Sequence, residues 1–272
     1  MSENISRLIL LTLITSLFLC NVAVYAPVSD PDITVPRMVN PVSLDGDVEA
    51  GEWSEAAKVS TLFHFWEYFP VAEYLGNRSA TLYFKHDCVN LYIAAVIEDP
   101  VENLTVWSDP LGAPEVIGDS LWVYYDVSGD KMTGSGDDLK MISHPNITRD
   151  SYFASGWPPG DESLGGSNNL EGYSTWSSGF IMYEFVHPLD SGDWNGYDLS
   201  VEPGGTTLAD IVVLDPELGG SESNRYDLII TECPAVGGVL TSTTSSVFAF
   251  FYLVILLLSL FLHSGKRIRL VE

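Results

Sequence analysis

The sequence predicts an all-β protein, an antiparallel two-sheet β-sandwich followed by one C-terminal transmembrane helix. Three observations predict it. Apolar and polar residues alternate with the period of two of half-buried strands in runs such as Ser120-Leu-Trp-Val-Tyr-Tyr-Asp126. Gly, Pro, Asp, Asn and Ser cluster between these runs, notably over 155–169 and 215–225. No long helical pattern alternates with the strands, so the order of elements is not that of a βαβ protein.

The N-terminus places Arg7 before an apolar run from Leu8 to Cys20, then small residues at Val24 and Ala26. This is the pattern of a secretory signal peptide over 1–26, with an uncleaved anchor as the other reading. The sandwich is predicted over 34–234. Within it, Gly51 to Lys58 is the one short helix candidate, and Trp53 there reads as core. Ala80–Lys85 and Leu91–Ile97, separated by a polar break, form a hairpin pattern. In Ser120–Asp126, Leu121, Val123 and Tyr125 can face one side and Trp122 and Tyr124 the other. Phe180–Val186, Leu208–Leu214 and Tyr226–Thr231 complete the strands.

A Ser/Thr-rich stalk is predicted over 235–246, a transmembrane helix over 247–263 and a basic cytoplasmic tail over 264–272. The chain carries no charge from Ser242 to Leu262, and Lys266, Arg267 and Arg269 follow at once. About 20 such residues span a bilayer core, and flanking positive charge stays in the cytoplasm. The expectation is a single-pass protein of the cell membrane with its N-terminal domain outside.

Of the 272 residues, 37 are acidic and 12 basic, for a net charge of −25. A nucleic-acid binder needs a basic face to displace counterions from phosphate, which excludes that class. Hydrophobic residues at 46 % and aromatics at 12 % exclude a mainly disordered chain. The acid excess reads as a solvated, repulsive exterior, or as cation binding. Outside the signal, Cys88 and Cys233 are the two cysteines, available for a disulfide in an exported domain. Asn77, Asn103 and Asn146 begin glycosylation acceptor tripeptides.

The order of short motifs resembles a known superfamily. Leu44-Asp45-Gly46-Asp47, Glu52-Trp53 and Ala56-Ala57 resemble the opening of family 9 carbohydrate-binding modules and their DOMON-like relatives. Asp87, Asn90-Leu91-Tyr92-Ile93-Ala94 and Asp99 are similar to their second hairpin, and Gly118-Asp119-Ser120 through Asp126 to a further strand. Glu184 to Asp193, with Asp198 and Pro203-Gly204, is closer to the haem-binding subunit of ethylbenzene dehydrogenase. The resemblance covers about residues 38–232. It implies a two-sheet antiparallel sandwich, and it leaves function open because related sandwiches bind sugars or haem.

Sugar binding needs flat aromatic faces beside directed polar groups. Trp157, in the rigid Gly156-Trp-Pro-Pro-Gly160 loop, Trp176, among small polar neighbours, and Trp107 are the candidate stacking residues; packing against the sandwich is the other role open to each. Calcium needs several oxygens on a turn. Asp126, Asp130, Asp137 and Asp138 supply four carboxylates among glycines within 13 residues, a candidate site or an acidic loop solvated by water. Haem b needs axial ligands such as Met132 with Lys140 or His144.

No serine-hydrolase, zinc-protease or phosphate-loop motif occurs. The leading expectation is therefore a non-catalytic extracellular module binding carbohydrate or another ligand. A haem b electron carrier is the first alternative, and a surface-layer or adhesion protein the second.

Overall fold

The computed structural model describes residues 30–67, 73–102, 106–108, 114–116, 118–131, 134–153, 159–193 and 198–234. The predicted signal peptide, stalk, transmembrane helix and tail, together with Met132, Trp157 and Asn103, lie outside the described residues. Among the described residues, no helix is long and apolar enough to cross a membrane.

Fourteen strands are formed by the described residues. They are β1 (Asp32–Val35), β2 (Ala57–Glu67), β3 (Glu73–His86), β4 (Asn90–Glu98), β5 (Val106–Ser108), β6 (Pro114–Val116) and β7 (Ser120–Tyr125). Then come β8 (Asp138–Ser143), β9 (Ile147–Tyr152), β10 (Glu171–Ser177), β11 (Phe180–Pro188), β12 (Thr206–Asp215), β13 (Gly219–Gly220) and β14 (Asn224–Ile230). The first sheet has the order β1-β14-β12-β7-β8-β9, with β13 on β12; the second has the order β10-β11-β4-β3-β2; β5 and β6 pair separately.

Among the described strands, all pairings are antiparallel but one. At the edge of the first sheet, β1 runs parallel to β14, so the sandwich is not wholly antiparallel.

The period of two in each strand produces a single interior between the sheets. The second sheet contributes Phe63, Phe65, Leu82, Phe84, Ile93, Ile181 and Phe185; the first contributes Leu121, Val123, Ile142, Ile211, Val213 and Leu228. Each such side chain gains about 1.5–3 kcal/mol from leaving water. As the alternation predicts, Leu121, Val123 and Tyr125 of β7 face this interior. Trp122 and Tyr124 point outward, into a smaller apolar cluster with Leu139 and Met141.

The short helix expected over Gly51–Lys58 is not formed. Residues 50–55 make turns, held by bonds such as Trp53 N to Glu49 O (3.1 Å). Two stronger demands override the local pattern. Lys58 is drawn into β2, opposite Tyr83. The Trp53 indole is fixed by donating to Glu184 Oε1 at 2.7 Å. The described residues contain one helical turn, a 3-10 helix over Asp161–Leu164.

Cys88, in the β3–β4 turn, and Cys233, beyond β14, form a disulfide with a Cα–Cα distance of 6.0 Å. It joins a turn of the second sheet to the end of the first.

Candidate functional site

The outward face of the second sheet is half covered and half open. A strap over 40–56 covers one half. Its Asp45 and Gly46 amides donate to Glu184 Oε2 at 3.2 and 3.0 Å, beside the Trp53 bond to Oε1. The approach requires glycine at 46. Its φ is +88°, and a Cβ would stand 2.8 Å from Thr175 Oγ1 and 2.9 Å from the Ser174 backbone. Lys85 lies 5.0 Å from the Trp53 ring centroid and also donates to the Glu52 carbonyl.

The other half is an open trough of about 690 Å³. Strand register sets its floor in rows. Ser60 stands opposite Thr81, Thr81 opposite Val96, and Val96 opposite Met182. One step along, Leu62 stands opposite Ser79, whose hydroxyl donates to Glu98 Oε2 at 2.7 Å, and Glu98 stands opposite Phe180. His64 and Asn77 follow. Asn224 closes a rim by donating to the Leu62 carbonyl at 3.2 Å.

The trough offers hydroxyls from Ser60, Ser79 and Thr81 and the His64 imidazole, and the Glu98 carboxylate lies beside it, bonded to Ser79. Between them lie the apolar surfaces of Leu62, Val96 and Phe180. Phe180 is 44 % exposed and Tyr74 46 % exposed. Tyr74 meets Trp66 edge-on at 5.2 Å and His64 at 6.3 Å, so an aromatic ridge stands beside the trough. Such a surface can hold an extended ligand side-on, with rings against C–H faces and hydroxyls as directed partners.

Sequence reasoning missed this face. The signal was Phe63 and Phe65 alternating with Leu62, His64 and Trp66, which marks β2 as a strand with one face outward.

The residues expected to stack are placed differently. Trp176 packs against the sandwich interior and donates its indole N–H to the Asp99 carbonyl at 3.0 Å. The period of two puts it on the inward face of β10 with Gly172 and Ser174. For Trp107, the β5 backbone is described and the side chain is not. Of the glycosylation candidates, Asn77 is exposed beside the trough, and the Asn146 side-chain oxygen accepts from the Ser174 amide at 2.6 Å.

Among the described residues, the four aspartates expected to share calcium do not gather into one set of ligands. Asp126 caps its own turn, accepting from the Gly129 and Lys131 amides at 2.6 and 2.7 Å. Asp137 accepts from the Gly134 amide at 2.7 Å. Asp130 is exposed. Asp138 is adjacent to Asp137 on an extended chain and so points the opposite way, into the sandwich, where it accepts from the Leu199 amide at 2.9 Å.

There Asp138 joins a buried charge cluster with Asp150, Asp161 and Asp198 around Lys140. The Lys140 ammonium lies 3.0 Å from Asp138 and 3.1 Å from Asp198, and in direct contact with Asp150. Burial alone would lower the Lys140 pKa, but the aspartates outweigh it and hold it above its ordinary value. Burial pushes the Asp138 carboxyl up to about 7 and that of Asp161 up to about 9. Ionised Asp161 has no hydrogen-bond partner for either oxygen; protonated, it donates to Asp198. Beside the cluster, burial first and then Lys140 depress His187 to about 3. His187 Nδ1–H donates to the Pro188 carbonyl at 2.9 Å, so Nε2 accepts from Tyr125 Oη at 2.7 Å.

Of the expected haem ligands, Lys140 is thus enclosed by carboxylates. His144 bonds Ser174 Oγ at 3.1 Å and Glu102 Oε1 at 3.2 Å. The two share no partner.

No protein-family model and no curated protein matches the chain. Solved structures similar to it include a family 9 carbohydrate-binding module from Caldicellulosiruptor kristjanssonii in complex with cellotriose. Identity to it is 16 %, over 76 % of this chain and 97 % of that one, with a TM-score of 0.49. A family 9 module from the same organism in complex with glucose has 13 % identity over 75 % of this chain and 100 % of that one, with a TM-score of 0.48. A putative carbohydrate-binding protein from Bacteroides uniformis ATCC 8492 has 11 % identity over 76 % of this chain and 94 % of that one, with a TM-score of 0.49.

Proposed function

We propose that this chain is a membrane-anchored, non-catalytic carbohydrate-binding module of the DOMON-like superfamily, with its sandwich outside the cell. The observation that carries the reading is the open trough on the second sheet. It combines the hydroxyls of Ser60, Ser79 and Thr81 and the His64 imidazole with the exposed ring of Phe180, and the Glu98 carboxylate and the exposed Tyr74 ring stand beside it. A sugar has apolar C–H faces and a rim of hydroxyls, and this surface complements both. Its openness suits a chain of sugars lying across the strands.

The test is a glycan array probed with the full-length protein, followed by titration calorimetry on any hit. Binding is expected, and Phe180→Ala is expected to weaken it about tenfold, the loss of about 1.4 kcal/mol of stacking and burial. Wild type binding no glycan, or Phe180→Ala and Tyr74→Ala binding as wild type does, would overturn the reading.

A further inference from the structure

Asn77 begins one of the glycosylation tripeptides, Asn77-Arg78-Ser79, and β3 sets it at the edge of the trough. Along this strand Ala80, Leu82 and Phe84 are buried in the sandwich interior, while Asn77 and Ser79 are exposed. Asn77 therefore shares a face with Ser79 and Thr81, which line the trough.

Its place in the ladder fixes what an attached sugar would meet. Asn77 stands opposite His64 of β2, which also lines the trough. Directly opposed residues have Cβ atoms about 4.5–5.5 Å apart, and Ser79 follows roughly 7 Å along the same face. On the other side stands the exposed Tyr74 ring, 6.3 Å from the His64 ring. The first sugar on Asn77 Nδ2 thus begins between a hydroxyl-lined floor and an aromatic face, the two surfaces a sugar binds.

The backbone also favours attachment here. The β2–β3 register shifts between Phe65 and Trp66, and Gly76, opposite Phe65, has a φ of +151°. Such a break bends a strand and re-aims its side chains. Among the described residues the Asn77 amide group makes no hydrogen bond. Asn146 differs: it belongs to the β8–β9 turn of the first sheet, and its oxygen accepts from the Ser174 amide at 2.6 Å and the Ser174 hydroxyl at 3.2 Å.

We propose that Asn77 carries an N-linked glycan whose first sugars lie in the trough and compete with outside carbohydrate. The inference rests on the trough being a carbohydrate site. In the attachment, Asn77 Nδ2 bonds to the anomeric carbon of a glycosyl phosphate donor. The anomeric C–O bond breaks, the phosphate leaves with the electron pair, and one amide proton passes to a base. Modification then sets how readily the trough accepts a ligand. A group on a short flexible link is present at an effective concentration of about 1–10 mM. For a sugar with an intrinsic Kd of about 1 mM, this weakens binding of a free copy about two- to tenfold.

The test uses the full-length protein made in two hosts, one that N-glycosylates exported proteins and one that does not. Glycopeptide mass spectrometry of the first product is expected to show Asn77 modified. The oligosaccharide released from it is the probe for titration calorimetry. The unmodified protein should bind this oligosaccharide, and the modified protein should bind it two- to tenfold more weakly. From the glycosylating host, Asn77→Gln should regain the tighter binding. Thr148→Val, which removes the Asn146 acceptor, should bind as the modified wild type does.

An unmodified Asn77 in the glycosylating host would overturn the proposal. So would equal affinities of the modified and unmodified proteins, or Thr148→Val regaining the tighter binding in place of Asn77→Gln. An unmodified protein that binds other glycans of an array but not the released oligosaccharide would overturn the proposal and leave the trough reading standing. One that binds no glycan at all would overturn both.

Discussion

Replacing Lys140 by methionine keeps the length of the side chain and removes its charge. In the wild type the ammonium is 2 % exposed and contacts three carboxylates, with Asp161 as a fourth nearby. Without it, buried carboxylates face one another with no compensating cation. Removing one partner from a buried ion pair costs about 3–5 kcal/mol, against a total stability of about 5–15 kcal/mol. For a chain of this size, that lowers the melting temperature by roughly 6–20 °C. The loss should also depend on pH, because the uncompensated carboxylates can take up protons. Urea unfolding at about pH 8 should show the full loss, and at about pH 5 a clearly smaller one. A loss below about 1 kcal/mol at pH 8, the range of a solvated surface pair, would refute the burial argument. An equal loss at both pH values would refute the charge argument.

Two further outcomes follow from the geometry. Burial raises the folded-state pKa of Asp161 to about 9, above its ordinary value near 4, so folding takes up a proton between these values. The stability this confers is full below about pH 4 and is lost as pH rises toward 9. His187, depressed to about 3, acts only below about pH 6.5, so a melting series from pH 7 to 9 isolates the alkaline arm. Wild type should lose stability across it and Asp161→Asn should be flatter; identical slopes would remove Asp161 as the cause. Replacing Cys88 and Cys233 together by serine opens a loop of sequence separation 145, which chain entropy values at about 5 kcal/mol. The melting temperature should fall by about 10–20 °C, and a fall under about 2 °C would show that the closed loop contributes little.

The strands that sequence reasoning found are those with apolar alternation on one face, β3, β4, β7, β11, β12 and β14. β8 escaped it because its inward positions carry Asp138 and Lys140, so the pattern that marks a buried face is inverted. β10 escaped because its inward positions include Gly172 and Ser174, too small to register as apolar, and Trp176 then looked like a surface residue. The aspartate loop was visible in composition, but adjacent residues of an extended chain point to opposite sides, so Asp137 and Asp138 could not act together. The clusters that do form draw on residues far apart in the chain, such as Asp138, Asp150 and Asp198, and no spacing rule reports their convergence. The trough was hidden for a related reason. Its lining is made of ordinary strand positions, and only the register of β2, β3, β4 and β11 puts hydroxyls and rings side by side.

The disulfide has a mechanical consequence. Cys233 lies just beyond β14, where the chain leaves the sandwich. Tension applied through the residues that follow would otherwise bear on β14 first, breaking its ladder one bond at a time. With the covalent tie, the load divides at Cys233 and passes to Cys88, in the turn between β3 and β4 of the other sheet. Force is thus delivered to both sheets together, and unzipping of the last strand is replaced by shear of the whole sandwich. A domain tethered at this end and holding a ligand on its outer face would resist being pulled apart in the direction in which such a grip is loaded.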